Sequence, residues 1–479
     1  MQITNAIKEA SVVVLLYSAQ SNASQHVLNE VGIAFDNDIK IIPLMLDESE
    51  MCADMQYFLS RKHYIKAFLN FDEGMAELVD AIKNSVKIQV QETPKEDEKP
   101  SDDYEMALKL TKTLINNSTE MSVAVNRFHD IIKGIPDWTN QERILSKAKE
   151  IISYSFIGVI GKDFNKIMAI SKEDDPSKCS KFCYACKRII AITLDLTIFA
   201  LISRLWDGTS SKTISLDNDE KETIRKRLIM PYQLPIHEQI DLLHSLIQMF
   251  KKYDMLQIPI PELMAIQPKL QHDGEIFEAC STLAKIDDKQ AKIDECRQAE
   301  DVLTVVLSNF NFYMRYHIVS MKWSKYKKNR TNNTKFVHRY VALGLDNKSN
   351  VDMEKINLTE AAISTDSVVM YVDQISDKTS INLYPLVIDL NTLYRENGSK
   401  ICFLYANPLN NSTLEYISLD DGNIITLDNK RIVHKIEDLN ELFMSDEDVT
   451  IYNIDNVIDT FEAMQQSLFG EMYVDFGDL

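Results

Sequence analysis

Four stretches of the sequence carry residue types whose spacing suits chemistry. In "SNASQHVLNEVGIAF", Ser21 to Phe35, one carboxylate, Glu30, interrupts an apolar helical rhythm. Wound at about 100° per residue, Val27, Leu28, Val31, Ala34 and Phe35 fall in one stripe, Glu30 lies on its border, and His26 shares that rim one turn earlier. On the pattern alone Glu30 reads as a solvated boundary residue. "CSKFCYACK" spaces Cys179, Cys183 and Cys186 as thiolates that hold an iron–sulfur cluster or zinc are spaced. The same three lie at i, i+4 and i+7, one helical face continuing into Ile190 and Leu194, so a core stripe is expected and no metal. "HEQIDLLH" opens like a zinc-binding helix, but Asp241 stands where the second His is needed. "MKWSKYKKNR", Met321 to Arg330, interleaves Trp323 and Tyr326 with five basic residues. That suits stacking on and neutralising a single strand, although a solvated helix end before a loop is the expected reading.

The elements that position these residues follow from periodicity. "SVVVLLYS" (Ser11 to Ser18) and "IKIIPLMLD" (Ile39 to Asp47) are short apolar runs of the kind buried on both faces of a sheet. The helix carrying Glu30 lies between them, with Ser21, Asn22 or Ser24 available as N-cap. This is a βαβ unit, so the strands are expected to be parallel. "GMAELVDAIKNSV", Gly74 to Val86, reads as a closing amphipathic helix. "TPKEDEKPSDD", Thr93 to Asp103, combines dense charge with two prolines and no large apolar residue, the composition of a solvated linker.

From about Tyr104 to Arg330 the period is helical. "TNQE" at Thr139 to Glu142 matches a capping box, and Pro235 stands near a helix start. After "KKNRTNNTK" the period falls towards two, in "HRYVALGL", "SVVMYVDQI", "INLYPLVIDL", "KICFLYA", "LEYISL" and "IITL", punctuated by turns such as "ENGS" and "DDGN". Helical stretches from Ile436 to Phe443 and Ile454 to Phe469 follow. The expected organisation is therefore multidomain. An α/β parallel-sheet module (1–87) leads by a charged linker (88–103) into an all-α helical bundle (104–330) and a mainly antiparallel, β-rich α+β domain (331–479).

Composition limits the partners. The chain has 479 residues, 45% hydrophobic and 26% charged, with a net charge of −20. It is long enough for several cores, and its acidity makes nucleic acid an unlikely general partner, so any such contact would be local. Seven scattered cysteines and an opening without a secretory pattern fit a reducing cytoplasmic setting. The run from Ile189 to Trp206 is nearly long enough to span a membrane, but Asp195 falls mid-run, so a buried helix is expected.

"ITNAIKEASVVVLLYSAQSNASQHVLNEVGIA", then "IIPLMLD", then "YFLSRKHYIKA" resemble the later part of a Toll/interleukin-1 receptor homology (TIR) domain in its bacterial form. Helix end, strand, Ser-rich turn, Glu-bearing helix and strand with an internal proline come in the family's order. The resemblance covers under a fifth of the chain. It implies a flavodoxin-like half-domain, a catalytic role for Glu30 and substrate contacts from Ser18, Ser24 and His26, where the family often has an aromatic residue at the last position. It implies NAD⁺ as substrate rather than cofactor, cleaved at the nicotinamide-ribosyl bond. Loss of nicotinamide leaves positive charge on the ribosyl C1′ and ring oxygen, which a carboxylate stabilises. It further implies self-association through the TIR segment and a role in signalling or antiphage defence, with an unknown trigger acting on residues 104–479. A complete domain of this family opens with two further strands, a helix and a loop. An N-terminally truncated domain with an impaired pocket is therefore expected. The alternatives are a non-enzymatic TIR interaction scaffold, and a nucleic-acid or nucleotide sensor in which residues 104–479 carry the specific activity.

Overall fold

Two runs without a polar interruption, VVVLLY and KIIPLM, lie side by side as parallel strands β1 (Val12–Tyr17) and β2 (Lys40–Met45), with Val13 opposite Ile41 and Leu15 opposite Pro43. The computed structural model describes parts of residues 7–81 and most of residues 104–470; residues 82–103, 229–233, 329–333, 344–353, 407–412 and 429–445 are among those outside the described residues. The expected linker from Thr93 to Asp103 and the expected helix from Ile436 to Phe443 thus lie outside them. The chain divides into two compact units, Met1–Ser101 and Asp102–Leu479.

In the first unit, β2 also pairs with short β3 (Ile65–Lys66), giving the order β1-β2-β3, all parallel. The crossover between β1 and β2 carries a one-turn helix α1 (Ala19–Asn22) and α2 (Gln25–Asp36). Alternation along β1 sends Leu15 and Tyr17 to one face with Val31, Ala34 and Ile41, and Val12 and Val14 to the other with Ile42, Leu44 and Ile65. That is the two-sided burial read from the apolar runs. Of the expected stripe on α2, Val31 and Ala34 are buried, but Phe35 is 39% exposed. The expected closing helix is helical at Gly74, Met75, Glu77, Leu78 and Ala81. A Cβ at Gly74 would stand 2.7 Å from Ala67 Cα, so only glycine fits that approach.

The second unit is helical as far as Asn309 and mainly antiparallel sheet beyond it. Its helices are α3 (Leu108–Asn117), α4 (Val123–Ile132), α5 (Glu142–Ser155), α6 (Gly158–Ile170), α7 (Lys178–Ser210), α8 (Asn218–Leu228), α9 (Ile236–Lys252), α10 (Glu275–Leu283) and α11 (Ile293–Asn309), with α12 (Asp446–Phe469) near the end. The expected capping box does not form: Thr139 lies in a 3₁₀ turn, and α5 starts at Glu142 after Gln141, which makes no side-chain cap. Helix α7 is long and apolar enough to cross a membrane, yet most of its apolar stretch is buried inside the protein.

Strand β4 (Tyr316–Lys327) contains most of "MKWSKYKKNR", so the expected helix end is a strand. From Ile318 to Met321 β4 is buried without alternation, and its exposed half mixes aromatic with basic residues, which hid the period of two. It pairs with β5 (Lys335–Ala342) and β7 (Val368–Val372) in a sheet ordered β6-β5-β4-β7-β8, where β6 is Glu354–Thr359 and β8 is Ile381–Asn382. A second antiparallel sheet is ordered β12-β11-β10-β9, from β9 (Val387–Asp389), β10 (Ile401–Ala406), β11 (Thr413–Ser418) and β12 (Ile424–Asp428). The expected strand "INLYPLVIDL" is divided between β8 and β9, with Pro385, which has no N–H to donate, between them.

The expected boundary at residue 330 does not divide the core. One apolar cluster runs from Met106 through the helices to Phe403 and Phe469, because α7 packs against α6, α9 and α11 and also against α12 and β8. Glu300 on α11 shows how distant segments are pinned. Its buried carboxylate accepts the N–H groups of Ala107 (3.0 Å) and Leu110 (2.9 Å) and the Tyr104 hydroxyl (2.7 Å), closing the start of α3 from almost two hundred residues away. Burial raises its pKa, against the pull of those donors. A carboxyl raised on folding contributes stability that is full below its ordinary value and is lost as pH rises through the folded value. Glu300→Gln removes an acceptor from buried donors and is expected to cost about 1–3 kcal/mol. Urea unfolding should show the gap from wild type widening in mild acid; a gap that widens towards alkaline pH instead would reverse the assignment.

A second pin joins the two sheets. The Asp389 carboxylate accepts Lys322 Nζ (2.6 Å), the Thr392 hydroxyl (2.9 Å) and the Lys400 N–H (2.8 Å). Burial alone would raise the Asp389 pKa, but the Lys322 ammonium and the hydrogen bonds hold it below the ordinary value. Its contribution is therefore present above the ordinary carboxylate range and lost as pH falls through the folded value. Lys322→Met leaves a buried carboxylate unpaired and is expected to cost about 3 kcal/mol at neutral pH. Chemical denaturation at neutral pH and in acid should show that cost shrinking in acid, where Asp389 is protonated.

Candidate functional site

The carboxyl ends of β1 and β2 hold two loops together. Leu46 N–H donates to Tyr17 O (2.8 Å), Ala19 N–H to Asp47 Oδ2 (2.8 Å), and Cys52 N–H to Asn22 Oδ1 (2.9 Å). Asp47 also accepts the Ser49 N–H (3.0 Å) and hydroxyl, and these donors hold its carboxyl below the ordinary value. Asp47 was read only as a strand end. The signal was available in Asp followed two residues later by Ser, an Asx-turn pattern that fixes the loop after a strand.

Ser18 and Ser21 lock the turn after β1. Ser18 N–H donates to Ser21 Oγ (2.8 Å), Ser21 N–H to Ser18 Oγ (3.3 Å), and the Ser21 hydroxyl to Ser18 O (3.0 Å). Ser24 is the N-cap of α2, its side chain accepting from Val27 N (3.5 Å). Both serines thus have local structural work, and it is Ser24, of the three candidate caps, that starts the helix.

His26 is exposed on α2, and Glu30 is half-buried one turn further on. At i and i+4 they share a face. Glu30 lies five residues into α2, about 8 Å along its axis from the first helical residue, in the half nearer the strand ends. Among the described residues it has neither a hydrogen-bond nor an ion-pair partner. The rim position read from the sequence is the position it occupies: Val31 and Ala34 turn inward beside it. Open parallel sheets bind ligands outside the carboxyl ends of their strands.

The other chemistry-bearing motifs resolve differently. Cys179, Cys183 and Cys186 lie along α7, where Cys183 and Cys186 are buried in the core. Cys183 Sγ stands 3.9 Å from Cys296 Sγ on α11, and Cys296 Sγ donates to Cys179 O (3.6 Å). Burial pushes the Cys186 thiol well above its ordinary pKa. Among the described residues no group of three or more His, Cys, Asp and Glu is placed to hold a metal ion. On α9, the His244 ring meets the Gln267 amide, and Asp241 lies 3.9 Å from His272 across the surface.

Residues 1–79 match the family model for the TIR domain. No curated protein and no solved structure matches the chain. With a parallel β1-α2-β2 crossover inside the matched stretch, residues 1–79 are TIR-domain sequence of the kind found in signal transduction, and they make up under a fifth of the chain.

Proposed function

We propose that the TIR segment cleaves NAD⁺ at the nicotinamide-ribosyl bond with Glu30 as the catalytic carboxylate, in a cytoplasmic signalling or defence protein whose second unit senses the trigger. The observation that carries this is the state of Glu30: half-withdrawn from water at the ligand end of a parallel sheet, with no partner among the described residues to consume its charge. In the reaction the C1′–N bond breaks and its electron pair leaves with nicotinamide. Glu30 stabilises the positive charge that remains on the ribose, and a water or another hydroxyl then bonds to C1′ and releases a proton. His26, on the same face, is assigned to stack on or hydrogen-bond the substrate, and Ser18 and Ser24 to line the approach from their turn and cap. NAD⁺ is consumed rather than recycled. The test is NAD⁺ loss and nicotinamide release by wild type and Glu30→Gln at equal concentration.

One observation favours the second reading, a TIR interaction scaffold. Among the described residues β1 pairs on one side only, and Leu16 beside that edge is 55% exposed. An apolar edge strand recruits another chain. Leu16→Lys is expected to shift the protein towards smaller species in light scattering; an unchanged distribution would remove β1 from the assembly surface. A scaffold predicts assembly without turnover, whereas the catalytic reading requires turnover that rises with assembly and depends on Glu30.

A further inference from the structure

Strands β4, β5 and β6 extend past the core as a three-stranded platform with two unlike faces. Cross-strand register places Trp323, Arg339 and Ile356 in one row and Lys325, Val337 and Leu358 in the next, with Lys327 opposite Lys335 beyond them. Alternation puts all of these on one face. Trp323 is 44% exposed, Ile356 74% and Leu358 51%, and Lys325, Lys327, Lys335 and Arg339 are exposed among them. These rows carry four cations, of which Arg339 already has a partner within the protein, and the exposed Glu360 follows two residues beyond Leu358, on a chain whose net charge is −20. The opposite face is covered only in part: His338 is buried, accepts or donates at Ser324 Oγ (2.9 Å) and stacks on Phe336, while Tyr326 beside them is 63% exposed.

We propose that this face binds single-stranded nucleic acid, with Trp323, Ile356 and Leu358 against base faces and Lys325, Lys327 and Lys335 against phosphates. The apolar surface of the first two rows stands beside the lysines of the second and third, and successive rows lie roughly 7 Å apart along the strands. That repeat of apolar and cationic groups matches the alternation of base and phosphate in an extended strand. A bilayer is the poorer fit, because the apolar side chains lie within a flat sheet, interleaved with cations, instead of projecting together from a tip to the depth of about 5–10 Å that interfacial insertion uses. The overall acidity of the chain is no obstacle, since it confines attraction for a polyanion to this one face and repels it elsewhere. The inference takes up the alternative of a nucleic-acid sensor and confines the contact to one local face, as the acidity of the chain requires, and it is independent of whether Glu30 turns over NAD⁺.

The full chain is titrated into fluorescein-labelled oligo-dT and oligo-U, with anisotropy read at about 50 and 200 mM salt. Wild type is expected to bind at the lower salt and to weaken about 20-fold at the higher, the dependence for three phosphate contacts on a single strand. A Lys325→Gln, Lys327→Gln, Lys335→Gln triple variant should bind more weakly and lose most of that salt dependence. Trp323→Ala should weaken binding between about 5-fold and 100-fold while keeping the salt dependence, and Trp323→Phe should recover most of the loss. Arg143→Gln, an exposed cation on α5, should change neither, and thermal melts of each variant check that it is folded. Absence of binding by folded wild type at the lower salt overturns the proposal. So does binding that the face variants leave unchanged, equal displacement by polyglutamate, or capture by phosphatidylserine vesicles in place of the oligonucleotides.

Discussion

Replacing Arg227 with Met is expected to lower the stability of the second unit by about 4–5 kcal/mol, towards the upper end of what breaking a buried ion pair costs. Arg227 and Asp195 are each about 3% exposed, with Nε 3.1 Å from Oδ1. The same guanidinium donates through Nη2 to Leu404 O on β10 (2.7 Å) and lies 4.6 Å over the Phe199 ring. One side chain from α8 therefore ties the central helix to the second sheet. Truncation would take the Arg227 cation away from the buried Asp195 carboxylate and strip the Leu404 carbonyl of this donor. Asp195→Leu combined with Arg227→Met removes both charges and should recover most of the loss, the remainder being that carbonyl, at about 1–3 kcal/mol. Urea midpoints and slopes for wild type, both single variants and the double variant give the coupling directly. A loss below about 1 kcal/mol for Arg227→Met would place the pair outside the cooperative core.

Asp195 also shows how much of this fold was legible. An aspartate in the middle of "IIAITLDLTIFALISRLW" argued for a buried helix, and α7 has most of that run inside the protein. Its partner could not be read, because Arg227 meets it only after the chain has turned from α7 into α8. The first βαβ unit was legible for a local reason: its strands are covered on both faces, so each declares itself within six residues, and the helix between them is short and capped. The strands from β7 onward were legible through their turns. Strand β4 was not, since Ile318 to Met321 are buried without alternation and its exposed half resembles a charged helix end, and β6 escaped because Ile356 and Leu358 face outward. The shared core was hidden for the same reason as the Glu300 cap, which brings residues together from opposite ends of the helical region. At the candidate site, the rim position of Glu30 and the cap at Ser24 came from helical period and residue type. The clasp at Asp47, which joins two loops through Ala19 N–H, depends on strand pairing that no local pattern contains.

The effect on function is expected to be largest at Glu30. Because that side chain makes no hydrogen bond or ion pair with the described residues, Glu30→Gln should leave the melting temperature within a degree or so of wild type. The substitution keeps shape and removes charge. Electrostatic stabilisation of a developing charge by a single preorganised group is typically worth about 10²–10³ in kcat, so NAD⁺ turnover should fall by at least that factor. Val31→Ala, at the neighbouring buried position on α2, tests the opposite combination. It removes two methyl groups from the packing of α2 on the sheet and should cost about 1–3 kcal/mol, with turnover falling in proportion to the folded fraction. The two variants thus separate a catalytic carboxylate from a structural helix. Asp47→Ala, which frees Ala19 N–H and the Ser49 turn, should raise KM more than it lowers kcat, because it loosens the loops at the strand ends without touching the charge. If Glu30→Gln retains wild-type turnover in assembled protein, catalysis by this carboxylate is refuted. If neither wild type nor variant consumes NAD⁺ while both assemble through β1, and turnover stays absent when the opening strands, helix and loop of a complete TIR domain are fused ahead of Met1, the TIR segment acts as a scaffold, and the charge on Glu30 serves only the solubility of its rim.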